Sequence, residues 1–350
     1  MKIFIDGKEC EARPNQTVLE AARENGINIP SLCYHRKTGP AGRCRVCVVE
    51  IEGMRGLQTS CTVLVRENMK VTTDSQTVRN AQRLVVDLLL SSGKHDCLSC
   101  EQNGNCELQD VAYLLGIERP SFHLADDKND IDESAEFIYR EHAKCIQCGR
   151  CVAGCNATVI NEVLDFGMRG RDTKVICDTD KPMGDSSCVQ CGECSQLCPT
   201  GSIIDKKTRG RGRQWQLEKV NTTCAYCGVG CQMTLHVDRA RNQIVRVTGR
   251  EVVPNDGMLC VKGRYAYEFP SSDKRLKYPM IKKNGVHVRV SWEEALDYTA
   301  SRIKEIVERD GPDVFSAFGS GCITNENNYA IQKFTRAVIG TNNIDHCARM

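Results

Sequence analysis

Two cysteine runs with the same spacing constrain this chain more than any other feature. Cys145-x2-Cys148-x2-Cys151-x3-Cys155 returns 43 residues later as Cys188-x2-Cys191-x2-Cys194-x3-Cys198, and duplication is the simplest account. The chain holds 23 Cys in 350 residues, a length that has no need of disulfide staples. An odd number also argues against a complete disulfide framework, so the cysteines read as metal ligands. The first ten residues contain no apolar signal core and no twin-Arg pair, from which we expect a cytoplasmic protein whose thiols stay reduced. Charge adds little: 47 Lys and Arg against 45 Asp and Glu leave +2, which singles out neither nucleic acid nor an anionic lipid surface. The longest apolar stretch, residues 84–90, is interrupted by Asp87 and falls far short of the roughly 18 to 20 residues of a membrane span. Length suggests two or three domains at roughly 150 residues each.

The duplicated runs follow the rule of bacterial two-cluster ferredoxins, in which the fourth cysteine of each run serves the other cluster. A cubane needs four thiolates from several directions; three come from one tight loop and the fourth arrives from elsewhere. By that resemblance Cys145, Cys148, Cys151 and Cys198 hold one 4Fe-4S cluster, and Cys188, Cys191, Cys194 and Cys155 hold the other. Two zinc sites would instead use pairs of C-x2-C knuckles. Asn156 stands where the second run has Pro199, a position that is not a ligand.

Three further groupings carry chemistry. Cys33-x10-Cys44-x2-Cys47-x13-Cys61 resembles the 2Fe-2S domain of plant-type ferredoxins, whose first gap is shorter. It is more similar to the N-terminal 2Fe-2S domain of the large electron-input subunits of complex I, hydrogenases and formate dehydrogenases; a zinc ribbon is the alternative. His95-x-Cys97-x2-Cys100-x5-Cys106 follows an amphipathic helix, as does the His-plus-three-Cys 4Fe-4S motif of those families. Those families put three residues between the His and the first Cys where this chain has one, and His123 is the next candidate. Imidazole in place of thiolate leaves one less negative charge, which raises the potential. Cys224-x2-Cys227-x3-Cys231-x28-Cys260, with Gly257-Met258-Leu259-Cys260-Val261-Lys262-Gly263-Arg264, closely resembles the 4Fe-4S domain that opens the molybdopterin oxidoreductases. The resemblance implies that Lys262 stands between cluster and pterin as an electron-transfer residue; a solvated surface lysine is the alternative. Cys10, Cys177, Cys322 and Cys347 are left over and read as small buried or half-buried residues.

Between the cysteines the pattern is mixed. Ile3 and Ile5 alternate into an Asp6-Gly7 turn, followed by a helix over residues 17–25 stopped by Gly26. A helix over residues 77–90 carries Val78, Ala81, Leu84, Val85, Leu88 and Leu89 on one face, and a shorter one covers 108–115. Residues 126–136, acidic and poor in apolar side chains, read as a linker. Residues 206–213, with five basic residues and two glycines, read as a solvated linker or, less readily, a docking patch. Strands over 233–237 and 244–247, a helix over 292–307, a strand over 314–318 and a helix through 329–338 read as the beginning of an α/β domain.

The resemblance covers the entire chain, in the order found in the alpha, catalytic subunit of cytoplasmic molybdenum or tungsten formate dehydrogenases. It implies an α+β multidomain fold: a β-grasp 2Fe-2S ferredoxin-like domain (1–77) and a His/Cys-ligated 4Fe-4S domain (78–118), then a twin 4Fe-4S ferredoxin domain (137–207). A 4Fe-4S molybdopterin-oxidoreductase domain (217–273) and the start of the molybdopterin oxidoreductase catalytic domain (274–350) follow. Iron-iron hydrogenases share the first three modules only, and the complex I subunit lacks the closely paired repeat. Residues 319–329 and 339–349 look very like formate dehydrogenase sequence, in which the residue after Cys-Ala-Arg-x is the selenocysteine or cysteine that ligates the metal. We therefore expect no catalytic residue within this chain, inactivity of the chain alone, and a metal ligand at a selenocysteine codon just after Met350. The implied cofactors are one 2Fe-2S and four 4Fe-4S clusters, with Mo or W bis-molybdopterin guanine dinucleotide in the full-length protein. The implied function couples formate oxidation, or CO2 reduction, to an external carrier through five clusters. Implied partners are a flavin- and NAD(P)-binding diaphorase subunit, a ferredoxin or a hydrogenase subunit. The alternative is a non-catalytic multi-cluster electron-transfer protein or a hydrogenase- or complex I-like electron-input subunit.

Overall fold

A computed structural model describes residues 1–122 and 130–347. His123, residues 126–129 of the expected linker and the Ala348-Arg349-Met350 end lie outside the described residues. The chain forms two compact units, Met1–Lys219 with His236–Arg246, and Val220–Leu235 with Val247–Met350.

The first unit opens on a β-grasp sheet. Strands Lys2–Ile5 and Lys8–Glu11 form a hairpin closed by Asp6 (φ 50°) and Gly7 (φ 78°), the two left-handed residues that a type I′ turn requires. Lys2–Ile5 pairs parallel with Lys70–Thr72, which pairs antiparallel with Val48–Ile51, and Gln58–Thr59 completes the sheet. Helix Val18–Glu24 starts on a reciprocal cap: the Thr17 hydroxyl accepts from Glu20 N, and the Glu20 carboxylate accepts from Thr17 N. Ile3, Ile5, Val18, Leu19, Val49 and Val71 share one core with Cys47 and Cys61. The apolar packing that folds this domain thus also fixes two of its sulfurs.

Helix Gln76–Ser91 begins on Ser75, whose Oγ accepts from Val78 N at 3.2 Å. Its buried face differs from the one that apolar spacing suggested. Val78, Gln82, Val86, Asp87 and Ser91 are buried, whereas Leu84 and Leu88 are exposed. Gln82 and Asp87 go inside because each finds a partner: Gln82 Nε2 donates to the Val48 carbonyl at 3.2 Å, and Asp87 Oδ1 accepts from Ser121 N at 2.8 Å. Helix Glu107–Leu114 joins it in a second core that includes Leu32, Cys33, Cys44, Val46, Ile146 and Cys148.

In the duplicated region, strand Ile138–Glu141 lies between Ile203–Asp205 and Ile131–Asp132. The end of the expected linker is therefore an edge strand, secured because Asp132 accepts from the backbone N of Ser134 (3.1 Å) and Met183 (2.9 Å). A hairpin, Leu164–Gly167 with Lys174–Cys177, separates the two cysteine runs. Residues 206–213 are strapped down at both ends, with 209–211 exposed to solvent. Lys206 Nζ donates to the carbonyls of Glu133 (2.6 Å) and Ala135 (3.2 Å), Arg209 pairs with Glu133 at 2.9 Å, and Arg213 Nη2 donates to the Leu98 carbonyl at 3.0 Å. Long cationic side chains reach carbonyls that composition alone does not reveal.

Strands Glu218–Thr223, Gln232–Asp238 and Gln243–Gly249 form a three-stranded sheet. In the second unit, helix Val261–Tyr265 follows the last clustered cysteine, and Met280–Lys283 pairs with Val286–Arg289. Helix Trp292–Asp310 is capped by Ser291, whose Oγ accepts from Glu294 N at 3.1 Å, and none of its residues is buried. Ala317–Gly319 and Ile344–His346 pair in parallel, linked through helix Asn325–Lys333 and a π-turn over Phe334–Ile339, an α/β crossover whose first strand begins at 317 and not at 314, because Pro312–Val314 is a helical turn. No helix among the described residues is long and apolar enough to cross a membrane.

Candidate metal centres

Cys33, Cys44, Cys47 and Cys61 are all buried, and their sulfurs meet. The thiols of Cys44 and Cys61 donate to Cys33, holding it down to about 2, and Cys61 likewise holds Cys47 down to about 6. Cys44 and Cys61 are correspondingly pushed up, by those same sulfur contacts first and burial second or third. Leu32 N adds a backbone donor to Cys44 Sγ at 3.4 Å. Four converging sulfurs with a backbone N–H aimed at one of them suit a 2Fe-2S group.

The duplication is visible in backbone geometry. Gln147 (φ 53°) and Gln190 (φ 50°) both turn left-handed, and each donates its N–H to the sulfur two residues back, Cys145 and Cys188, at 3.4 Å. Gly149 (φ 83°) and Gly192 (φ 76°) then start the helices Arg150–Ala153 and Glu193–Leu197. Cys145, Cys148, Cys151 and Cys198 wall one cavity together with Arg140. Burial pushes Cys148 up to about 12, with Cys198 the next cause, and Cys198 acts on Cys145 and Cys151 as well. In the other set, Cys155 acts on both Cys188 and Cys194, beside Cys191. Each fourth cysteine thus lies with the opposite run.

Cys97 is exposed, and Cys100 and Cys106 are half-buried. Burial pushes Cys106 up to about 12, and Cys100 and Cys198 act on it further. A Cβ on Gly201 would come within 2.6 Å of Cys100 Sγ, so this set abuts the chain just after Cys198. His95 is turned toward the Leu89 backbone; burial lowers its pKa, and the charges that act on it most are Lys144, Asp96 and Glu141 rather than the three cysteines.

Cys224 N donates to the Cys231 carbonyl at 2.8 Å, closing the C-x2-C-x3-C loop around Gly230 (φ 67°). Cys260 precedes helix Val261–Tyr265 and acts on both Cys224 and Cys231. Asn255, missed in the motif reading, pins these loops together: its Nδ2 donates to the carbonyls of Gln232 (3.1 Å) and Met258 (2.8 Å), and its Oδ1 accepts from Gln232 N at 2.7 Å. The Pro254-Asn255-Asp256-Gly257 turn is the signal that marks it. Lys262 is exposed, two residues past Cys260. Of the four left-over cysteines, Cys10 and Cys177 are buried as expected, but Cys322 and Cys347 are exposed. Both follow the C-terminal ends of the parallel strands, where connecting loops open outward.

Among the described residues no three His, Cys, Asp or Glu donors are grouped as one metal ion would require. Within the first unit the sets are also linked. Glu107 N donates to the Pro199 carbonyl at 2.9 Å, next to Cys106 and Cys198, and Arg43 Nε donates to the Gln147 carbonyl at 3.1 Å.

Successive cysteine sets, linked within the first unit by hydrogen bonds between their loops, define an iron–sulfur electron carrier. Family models agree along its length: a 2Fe-2S iron-sulfur cluster binding domain matches residues 1–76, and an NADH-ubiquinone oxidoreductase-G iron-sulfur binding region matches 82–121. A 4Fe-4S dicluster domain matches 144–202, a molybdopterin oxidoreductase Fe4S4 domain 217–272, and molybdopterin oxidoreductase 275–350. The chain belongs to the molybdopterin oxidoreductase family and corresponds to the N-terminal part of such a subunit. It is 36% identical over 357 residues to the NADPH-Fe(3+) oxidoreductase subunit alpha of Geobacter sulfurreducens, matching 100% of this chain and 40% of that protein. A Staphylococcus aureus protein provisionally named a formate dehydrogenase is 30% identical over 387 residues, matching 99% of this chain and 39% of that protein. The chain thus spans about 40% of the length of these relatives. A crystal structure of NAD+-reducing [NiFe]-hydrogenase in the H2-reduced state superposes with a TM-score of 0.57 at 31% identity, covering 61% of this chain and 90% of that one.

Proposed function

We propose that this chain is the iron–sulfur electron-transfer portion of the alpha subunit of a cytoplasmic formate dehydrogenase, coupling formate oxidation or CO2 reduction to an external carrier. Bound clusters would supply one-electron steps, which join a two-electron reaction at one end to a flavin, ferredoxin or hydrogenase subunit at the other. The chain's own residues hold and insulate: twenty donors, nineteen cysteines and His95, supply the five sets, and buried side chains keep water from most of the sulfurs of the 2Fe-2S and twin sets. For His95 to serve, its ring must leave the Leu89 backbone. Lys262, exposed and two residues past Cys260, is the residue to which we assign electron transfer between the last cluster and a pterin. A Mo or W bis-molybdopterin guanine dinucleotide, with its selenocysteine or cysteine ligand, belongs to the full-length protein.

One observation carries the formate reading. The parallel strands Ala317–Gly319 and Ile344–His346 bring the two formate dehydrogenase-like stretches together, with Gly319 opposite His346 and Ser320 Oγ 3.4 Å from Cys347 Sγ. A second reading, in which NADPH is the electron partner and formate is not a substrate, is favoured by the Geobacter relative at 36% identity. The test is anaerobic addition of formate, then separately of NADPH, to the native complex containing this chain, followed by low-temperature EPR. Formate should reduce the clusters; reduction by NADPH alone would overturn the formate reading and support the second.

A further inference from the structure

The twin-cluster region contains a buried charge that the ligand sets do not explain. Arg140, in strand Ile138–Glu141, is 4% exposed. A guanidinium out of water is strongly unfavourable unless its donors are met and its charge is faced. Here they are met by residues outside the five sets. Nη1 donates to Cys177 Sγ at 2.7 Å, Nη2 donates to the Val175 carbonyl at 2.5 Å and lies 3.0 Å from His142 Nε2, and the Asp132 carboxylate stands 3.5 Å from Nη1. Cys177 is fully buried, and burial pushes its thiol up to about 11, so it faces Arg140 as a neutral acceptor. The Arg140 side chain also lines the cavity walled by Cys145, Cys148, Cys151 and Cys198. Its charge is felt by Cys145 in that set and by Cys188 and Cys194 in the other.

We infer that Arg140 is a positioning charge that raises the reduction potentials of both twin 4Fe-4S centres, and that Cys177 is the anchor that holds it there. One electron added at either centre increases by one unit the negative charge facing the guanidinium, while no bond forms or breaks and no proton has to move. A cation fixed in a poorly solvated wall favours that added charge more than a mobile surface lysine would. Asp132, 14% exposed at its side chain, offsets part of the effect from the far side of the guanidinium. Cys177 thereby has a role without being a ligand.

The inference rests on the reading of these two sets as 4Fe-4S sites. Failure of that reading shows as missing iron in the unmodified protein; failure of the inference shows as unmoved potentials in fully loaded variants. The experiment is a dithionite potentiometric titration of the cluster-loaded full chain, followed by EPR. Arg140→Gln should lower both twin potentials, disfavouring the reduced form about tenfold at a fixed potential, which is 59 mV for a one-electron couple. The 2Fe-2S and Cys224-set potentials should stay. Arg140→Lys should restore most of the shift, and Cys177→Val should give a smaller shift in the same direction. Asp132→Asn should move both potentials up, and it decides the matter should Arg140→Gln not load. Unmoved potentials in Asp132→Asn and loaded Arg140→Gln, or equal shifts in Arg140→Lys and Arg140→Gln, would overturn the inference.

Discussion

Arg150 Nη2 donates to the Tyr34 carbonyl at 2.9 Å, so the peptide beside Cys33 and the side chain beside Cys151 share one hydrogen bond. The same guanidinium reaches Glu107 Oε1 through Nη1 at 2.6 Å, next to Cys106. One buried residue therefore ties the sequence neighbours of three cysteine sets, those of Cys33, Cys106 and Cys151. Replacing Arg150 with Met removes both charge-assisted bonds and should cost about 2 to 3 kcal/mol. Denaturant unfolding of the loaded protein reads this directly; a loss under about 0.5 kcal/mol, the range of an ordinary surface change, would mean the bridge does not hold the modules together.

Lys37 and Glu193 form an ion pair whose side chains are each 2% exposed, between the loop after Cys33 and the residue before Cys194. Removing the cation nearest a buried carboxylate is costly, whereas replacing the whole pair with apolar side chains is often neutral. Lys37→Met should therefore destabilise by about 3 kcal/mol, and Lys37→Met with Glu193→Leu should recover most of it. A double variant no better than the single one would contradict this account of the interface.

Gly201→Ala should drive Cys100 from its position, because the added methyl would come within 2.6 Å of its sulfur. Iron should fall by roughly four per chain, with the 2Fe-2S signal intact. Full iron content in this variant would show that the Cys100 set does not abut the Cys198 loop.

His95→Ala tests the least regular ligand. If the ring completes the Cys97, Cys100 and Cys106 set, one reduced 4Fe-4S signal changes and the others stay. An unchanged spectrum would remove His95 from the ligand list.

The cysteine spacings made most of the candidate centres legible, because a cluster fixes how far apart its ligands can stand along a loop. Turns and caps were legible too, as at Asp6-Gly7 and Thr17. What the sequence hid were polar residues whose burial depends on distant partners. Gln82 and Asp87 took the inner face of their helix through Val48 and Ser121, while Leu84 and Leu88 faced outward. Ile131–Asp132 joined a sheet although its neighbours read as linker, since its strand partner lies beyond the local pattern. Arg140 and residues 206–213 were basic in composition, and only their carbonyl, thiol and carboxylate partners give them structural roles.

His236 is buried, and burial, followed by Arg246 and Lys219, holds its pKa down to about 4, with Asp205 opposing. The unfolded chain takes up this proton near pH 6.5 and the folded chain only near 4. Stability from this group is therefore complete above about 6.5 and is lost as pH falls toward 4, by at most about 3 kcal/mol. His236→Gln should flatten that part of the pH dependence of the denaturation midpoint relative to the unmodified protein. Equal slopes in the two proteins would contradict the assignment.

The central claim is that five cysteine sets hold iron–sulfur clusters in one electron relay, and metal analysis of the anaerobically reconstituted chain tests it most directly. Iron and acid-labile sulfide should each approach roughly eighteen per chain, one 2Fe-2S and four 4Fe-4S centres, all bleached by dithionite. Stoichiometric zinc in place of iron, or iron that leaves any one of the five sets empty, would contradict it.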